Sequence, residues 1–151
     1  MSDIHHHFYM TVTSDQDKDK FRANEPNEFR VLIHSTDRLN AYHYECALVD
    51  FSYSTIKFPD NVPDRQMISI EMDKISLNEM CGNLNRTLRM TIVKSNRMQS
   101  MEKFSVPYYK RMIRWPDMVF TFTIKDIMSQ RKCSLLTGTT TCTLHFRRIV
   151  H

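Results

Sequence analysis

MVFTFTIK at residues 118–125 and CTLHFR at residues 142–147 decide the fold. In the first, Met118, Phe120, Phe122 and Ile124 oppose Val119, Thr121, Thr123 and Lys125; in the second, Cys142, Leu144 and Phe146 oppose Thr143, His145 and Arg147. Successive side chains of a strand point to opposite faces, so a two-residue period of apolar and polar groups marks a strand with one buried face. The period recurs outward from these two runs. Phe8, Met10 and Val12 alternate with Tyr9, Thr11 and Thr13; Phe29, Val31 and Ile33 with Arg30 and His34. Ile68, Ile70 and Met72 alternate with Ser69, Glu71 and Asp73, and Leu88, Met90 and Ile92 with Arg89, Thr91 and Val93. YECALVDFSY at residues 44–53 is apolar on both faces, which predicts a central strand covered on each side.

Polar or proline-bearing segments separate these runs: Ser14 to Asn27, Phe58 to Arg65 with Pro59 and Pro63, and Ser95 to Pro116. A weaker eighth strand is predicted within Lys103 to Tyr109. Ser76-Leu77-Asn78-Glu79 has capping-box spacing and Gly82 follows, which predicts one short helical turn. Seven clear strands and a weaker eighth, joined by loops of mixed length, define an all-β chain folded as an antiparallel β-sandwich. The alternation assigns Phe8, Met10, Phe29, Val31, Leu48, Ile70, Met90, Phe120, Phe122, Leu144 and Phe146 to one core between two sheets.

Composition narrows the function. The chain has 151 residues, the size of one ordinary domain, with 41% hydrophobic and 25% charged residues, so wholesale disorder is excluded. Its longest apolar run, Cys46 to Val49, is far short of the ~20 residues of a membrane-spanning helix. The first residues carry neither a basic head nor an apolar stretch, so synthesis in the cytosol is expected. Lys and Arg exceed Asp and Glu by 21 to 17, a bias that permits acidic partners without requiring them. Cys46, Cys81, Cys133 and Cys142 lack C-x-x-C spacing and are read as small apolar groups. With only two glycines, Gly82 and Gly138, no glycine-rich phosphate loop exists.

Nor does the chain carry a recognisable catalytic pattern. Its histidines (His5, His6, His7, His34, His43, His145 and His151) are scattered, and the His5-His6-His7 run reads as a solvated tail. There is no G-x-S-x-G turn for a nucleophile and no cupin-like set of paired histidines and a glutamate among glycines. Asp50, Asp73 and Asp126 sit near predicted strand ends, where carboxylates commonly cap turns. No enzyme, metal or cofactor is therefore predicted. The most loaded segment is EKFSVPYYKRMIRW at residues 102–115, where Lys103, Lys110, Arg111 and Arg114 interleave with Phe104, Tyr108, Tyr109 and Trp115. Such a mixture suits nucleic acid or a protein interface, and without a nucleic-acid motif the interface is preferred.

Three segments together resemble one family: FYMTV at residues 8–12, YECALVDFSY at 44–53 and TLHFR at 143–147. The set looks like the penton-type minor capsid proteins of Polinton and adintovirus-like DNA viruses. There an F-Y-x-T strand opens the fold, a W-E-V-A-L-x-E-I-x-Y-like strand follows, and an L-H-F-R-like strand closes it. The likeness covers residues 8–55, 118–126 and 139–148; His43-Tyr44 stands where a tryptophan is common, and only Gly138 precedes the last strand. The resemblance implies a single jelly roll over residues 8–151 behind a flexible tail at 1–7. It further implies a virion protein that forms homopentamers at the fivefold vertices of an icosahedral capsid, beside a double-jelly-roll major capsid protein. In a jelly roll the first and last strands share a sheet, so Thr141, Thr143 and His145 are expected beside Thr11 or Tyr9.

For the ring contacts, Tyr108, Tyr109, Arg111, Arg114 and Trp115 are nominated, with Asp15, Asp17 and Asp19 as acidic counterparts. The alternative is a carbohydrate- or receptor-binding sandwich whose loops form a stacking platform, with a host receptor or glycan as partner. A basic nucleic-acid module using Lys110, Arg111 and Arg114 ranks last.

Overall fold

A computed structural model describes residues 7–33, 43–80, 83–113 and 119–149. These form eleven strands: β1 (His7–Thr13), β2 (Glu28–Leu32), β3 (Tyr44–Thr55), β4 (Arg65–Met72), β5 (Asn78–Met80), β6 (Asn83–Asn85), β7 (Thr87–Lys94), β8 (Ser100–Lys103), β9 (Lys110–Arg111), β10 (Val119–Asp126) and β11 (Leu136–Arg148). No helix occurs among the described residues. One sheet runs β1-β11-β3-β8, with β9 also on β3; the other runs β2-β10-β4-β7, and β5 and β6 make a separate hairpin. Every pairing is antiparallel.

Among the eight strands of the two larger runs, the partners are nested. The first pairs the last, the second the next to last, β3 pairs β8, and β4 pairs β7. Nesting of this kind is the winding of a jelly roll. The expected juxtaposition of chain ends holds in detail, for Tyr9 faces His145, Thr11 faces Thr143 and Thr13 faces Thr141. Thr11 and Thr143 share a hydroxyl hydrogen bond of 3.1 Å on the outer surface.

Between the sheets lies the core, where Phe29, Val31, Leu48, Ile70, Phe120, Phe122, Leu144 and Phe146 are fully buried. Phe8 and Met10 are half-buried and pack against it, as befits the edge strand β1. Cys46, Cys133 and Cys142 are buried free thiols, and burial pushes the Cys142 thiol up to about 12. Cys81 and Gly82 lie outside the described residues.

Three expectations are corrected. Met90 is only half-buried, while Val93 takes the core position in β7 and Ile92 is 37% exposed. Ile70 pairs with Arg89 and Glu71 with Thr87, so Leu88 is an extra residue; this bulge turns the following side chains over. The weak eighth strand is β8, which overlaps the predicted Lys103–Tyr109 window only at Lys103, and the window's other end leads into β9. Finally, the capping-box segment enters the β5–β6 hairpin in place of a helical turn. A single helical turn bears the full cost of nucleation with few hydrogen bonds to offset it, and a three-residue strand pairing competes successfully.

Candidate functional site

The outer face of the five-stranded sheet carries a row of polar and charged side chains across four strands. In register, His7 of β1 stands beside Arg147 of β11, Arg147 beside Glu45 of β3, and Glu45 beside Arg111 of β9. The row follows from the alternation: Phe146 and Cys46 face inward and are buried, which turns their neighbours outward. Glu45 accepts a charge-assisted hydrogen bond from Arg147 Nε. The Arg147 guanidinium also lies over the Tyr109 ring, 3.5 Å from its centroid.

His145 is the hub of the adjoining aromatic group. Its Nδ1 is 2.7 Å from the Tyr109 hydroxyl and its Nε2 is 3.2 Å from His7 Nδ1. A neutral imidazole has one donor and one acceptor nitrogen, so one of these neighbours donates and the other accepts. Tyr9, 65% exposed, leans against the His145 ring at 4.5 Å between centroids. Partial burial, followed by the charges of His7 and Arg147, holds His145 below the ordinary imidazole value.

Tyr108 and Tyr109 point to different places. Arg89 lies 4.2 Å over the Phe104 ring and 4.1 Å over the Tyr108 ring, and its Nη1 donates to the Val106 carbonyl at 2.6 Å. Because the β7 bulge sends Arg89 toward the inner side, this residue clamps the 104–108 segment over the gap between β7 and β8. Tyr108 remains 55% exposed. Arg111 is exposed on β9, and its carbonyl accepts Ser76 N at 2.8 Å. Arg114 and Trp115 lie outside the described residues, as do His5, His6, His34 and His151.

The three aspartates sit at the other end of the same sheet. Asp15 accepts from Thr13 Oγ1 at 2.8 Å and from Thr139 Oγ1 at 3.3 Å. Asp17 accepts Leu32 N at 2.7 Å, which ties the first loop to β2. Asp19 is exposed, with no side-chain partner among the described residues. Thus the loop of Tyr109 and Arg111 and the loop of Asp15 and Asp19 do not meet within one chain. Of the other carboxylates, Asp126 caps a turn by accepting Met128 N at 2.8 Å, whereas Asp73 accepts Thr121 N of β10 at 2.9 Å and Asp50 lies inside β3. No group of three or more metal-ligating side chains is assembled among the described residues.

His145 and Arg147 were readable as outward residues from the alternation of β11. Glu45 and Arg89 are not singled out by sequence, and Tyr9 only as an expected neighbour of the last strand. Their roles depend on which strands become neighbours, and in the case of Arg89 on a bulge that no glycine or proline marks.

Nested pairing, two four-strand runs and an aromatic inner face define a single jelly-roll sandwich. Among solved structures, the chain is similar to the crystal structure of the mavirus penton protein, with a TM-score of 0.60. The match covers 95% of this chain and 100% of that one at 8% sequence identity, so what the two share is the fold. No protein-family model matches the chain, and no curated protein matches it in sequence.

Proposed function

We propose that this chain is a penton-type capsid subunit of a Polinton or adintovirus-like virus, a non-enzymatic virion protein that forms homopentamers at fivefold vertices. Its neighbours in the shell would be copies of a double-jelly-roll major capsid protein. The observation that carries this reading is the likeness of fold to the mavirus penton protein over the full length of that chain.

The arrangement of charge supports a ring. A cyclic assembly of more than two copies uses heterologous contacts, in which one patch of each subunit meets a different patch of the next. Here the aromatic and basic group around Tyr109, Arg111 and Arg147 lies at one end of the outer sheet face, and Asp15 and Asp19 lie at the other. Tyr108, Arg114 and Trp115 belong to the same basic loop and Asp17 to the same acidic one. The Tyr109–Arg111 patch of one protomer would therefore meet the Asp15–Asp19 loop of its neighbour.

Sedimentation velocity of the purified chain tests the reading, with a pentamer expected. Arg111→Glu with Arg114→Glu should weaken the ring, and Asp19→Lys should partly restore it. Asp19 is chosen because Asp15 and Asp17 also bond within their own chain. A chain that stays monomeric at every concentration overturns the ring, and a charge-reversed pentamer identical to wild type removes this loop from the contact.

A further inference from the structure

At the end of the sandwich opposite the Tyr109–Arg147 cluster, four cations gather at one corner. Arg65 opens β4, Lys94 closes β7, and the two are direct partners in the antiparallel ladder. Like charges placed directly opposite on neighbouring strands destabilise the pairing. Lys57 and Arg97 are brought to the same corner by the backbone. Asn96 N donates to the Ile56 carbonyl at 3.0 Å, Thr55 N to the Arg97 carbonyl at 2.8 Å, and Phe58 N to Ser95 Oγ at 2.9 Å. Arg97 N in turn donates to Thr55 Oγ1 at 3.0 Å, and Asn96 takes a left-handed φ of 53° to make the turn. The scaffold is thus well bonded, while the charges it presents are not neutralised.

Lys57, Arg65, Lys94 and Arg97 line an open cavity of about 440 Å³, shared with Asp64, Ser95 and Asn96. Among the described residues no carboxylate forms an ion pair with any of the four cations. We infer that this cavity binds a sulfated oligosaccharide. Sulfate groups between Arg65 and Lys94 would relieve the repulsion built into the ladder and use the fork of donors on Arg65 and Arg97.

The rest of the lining selects the class of polyanion. Among the described residues no aromatic side chain lines the cavity, so they offer no platform on which nucleobases stack. A duplex backbone presents acceptors only and leaves the Asp64 carboxylate, Ser95 Oγ and the Asn96 amide oxygen without a donor. Sugar hydroxyls supply the donors that Asp64, Ser95 Oγ and the Asn96 amide oxygen can accept. This inference stands independently of the capsid reading.

Calorimetric titration of the full chain with a heparin-derived hexasaccharide tests it. Wild type should bind, and Arg65→Ser with Lys94→Ser should weaken binding by about tenfold or more. Removing the opposed charges should leave melting unchanged or raise it; if the double variant fails to fold, Arg97→Ser, outside the ladder, replaces it. Lys18→Ser with Lys20→Ser, in the first loop, should leave the affinity unchanged, and the desulfated sugar should not bind. A DNA duplex of about 12 base pairs should bind at least about tenfold more weakly than the sugar at the same salt. Failure of wild type to bind the hexasaccharide, equal loss in the Lys18/Lys20 variant, binding of the desulfated sugar, or DNA binding as tight as sugar binding would each overturn the inference.

Discussion

Replacing Phe122 by alanine probes the core where β2, β10 and β4 meet. The ring is fully buried in β10, with Phe29 of β2 and Met72 of β4 as its direct cross-strand partners. It stacks on Phe29 with 5.2 Å between centroids and 15° between planes. Loss of a buried phenylalanine removes its transfer free energy and leaves a cavity, together about 3–5 kcal/mol. Against a total stability of roughly 5–15 kcal/mol for a domain, that is a large fraction. At ~2–4 °C per kcal/mol for a chain of this size, the melting temperature should fall by roughly 6–20 °C. Urea unfolding should show a lower midpoint with an unchanged slope, which separates lost stability from a changed unfolded state. Combining Phe122→Ala with Phe29→Ala in a double-mutant cycle should give a coupling of about 0.5–1.5 kcal/mol for the stacked pair. Thr123→Ala, one residue along on the outer face, should cost no more than about 1 kcal/mol. If Phe122→Ala is near neutral, or costs no more than Thr123→Ala, the facing assigned to β10 is wrong.

Two other outcomes follow from local geometry. His145 has a folded pKa below the ordinary 6.5, so in the window between the two values the unfolded chain binds more protons. Stability from this group is therefore present above 6.5 and is lost as pH falls through that window; urea midpoints from about pH 7.5 to about pH 5 should drop more for wild type than for His145→Gln. Equal drops would show that His145 does not contribute. Gly138 has φ of 66°, and an added Cβ would meet Ser54 at 3.6 Å, an ordinary contact. The cost of Gly138→Ala is thus conformational, about 1–2 kcal/mol by thermal or urea unfolding, and a cost above 4 kcal/mol would point instead to a steric clash.

Legibility of the chain in its sequence varied with the physics of each element. β1, β2, β4, β10 and β11 announce themselves because each keeps one side-chain phase along its buried stretch, whereas β3 changes phase at Val49 and is legible by its apolar content; ten of the eleven proposed core residues do face the core or pack against it. Met90 fails because alternation fixes a face only while the register is unbroken, and the bulge at Leu88 shifts it without a glycine or proline to mark the place. β8 and β9 are short pairings imposed by β3, whose own edge has to be satisfied, so their local sequence says little. The candidate assembly surface was legible by residue type and not by arrangement. Tyr109 and Arg147 meet face to ring only because β9 and β11 both flank β3.

The position of β11 has a kinetic meaning. It is the last described strand in the chain, yet it lies between β1 and β3 and joins them into one sheet. Thr11 and Thr143, which bond across it, stand 132 residues apart. Until that segment emerges from the ribosome, β1 and β3 have no common partner, and half of the sandwich lacks its middle. Before then the chain can assemble the β2-β10-β4-β7 sheet and pair β3 with β8, whereas the sheet of β1 and β3 waits for a long-range closure of the slow kind expected for high contact order. A fragment ending before Leu136 would leave the apolar inner faces of β3 and β10 open to other chains, which makes truncation a more severe lesion here than any single substitution in the core.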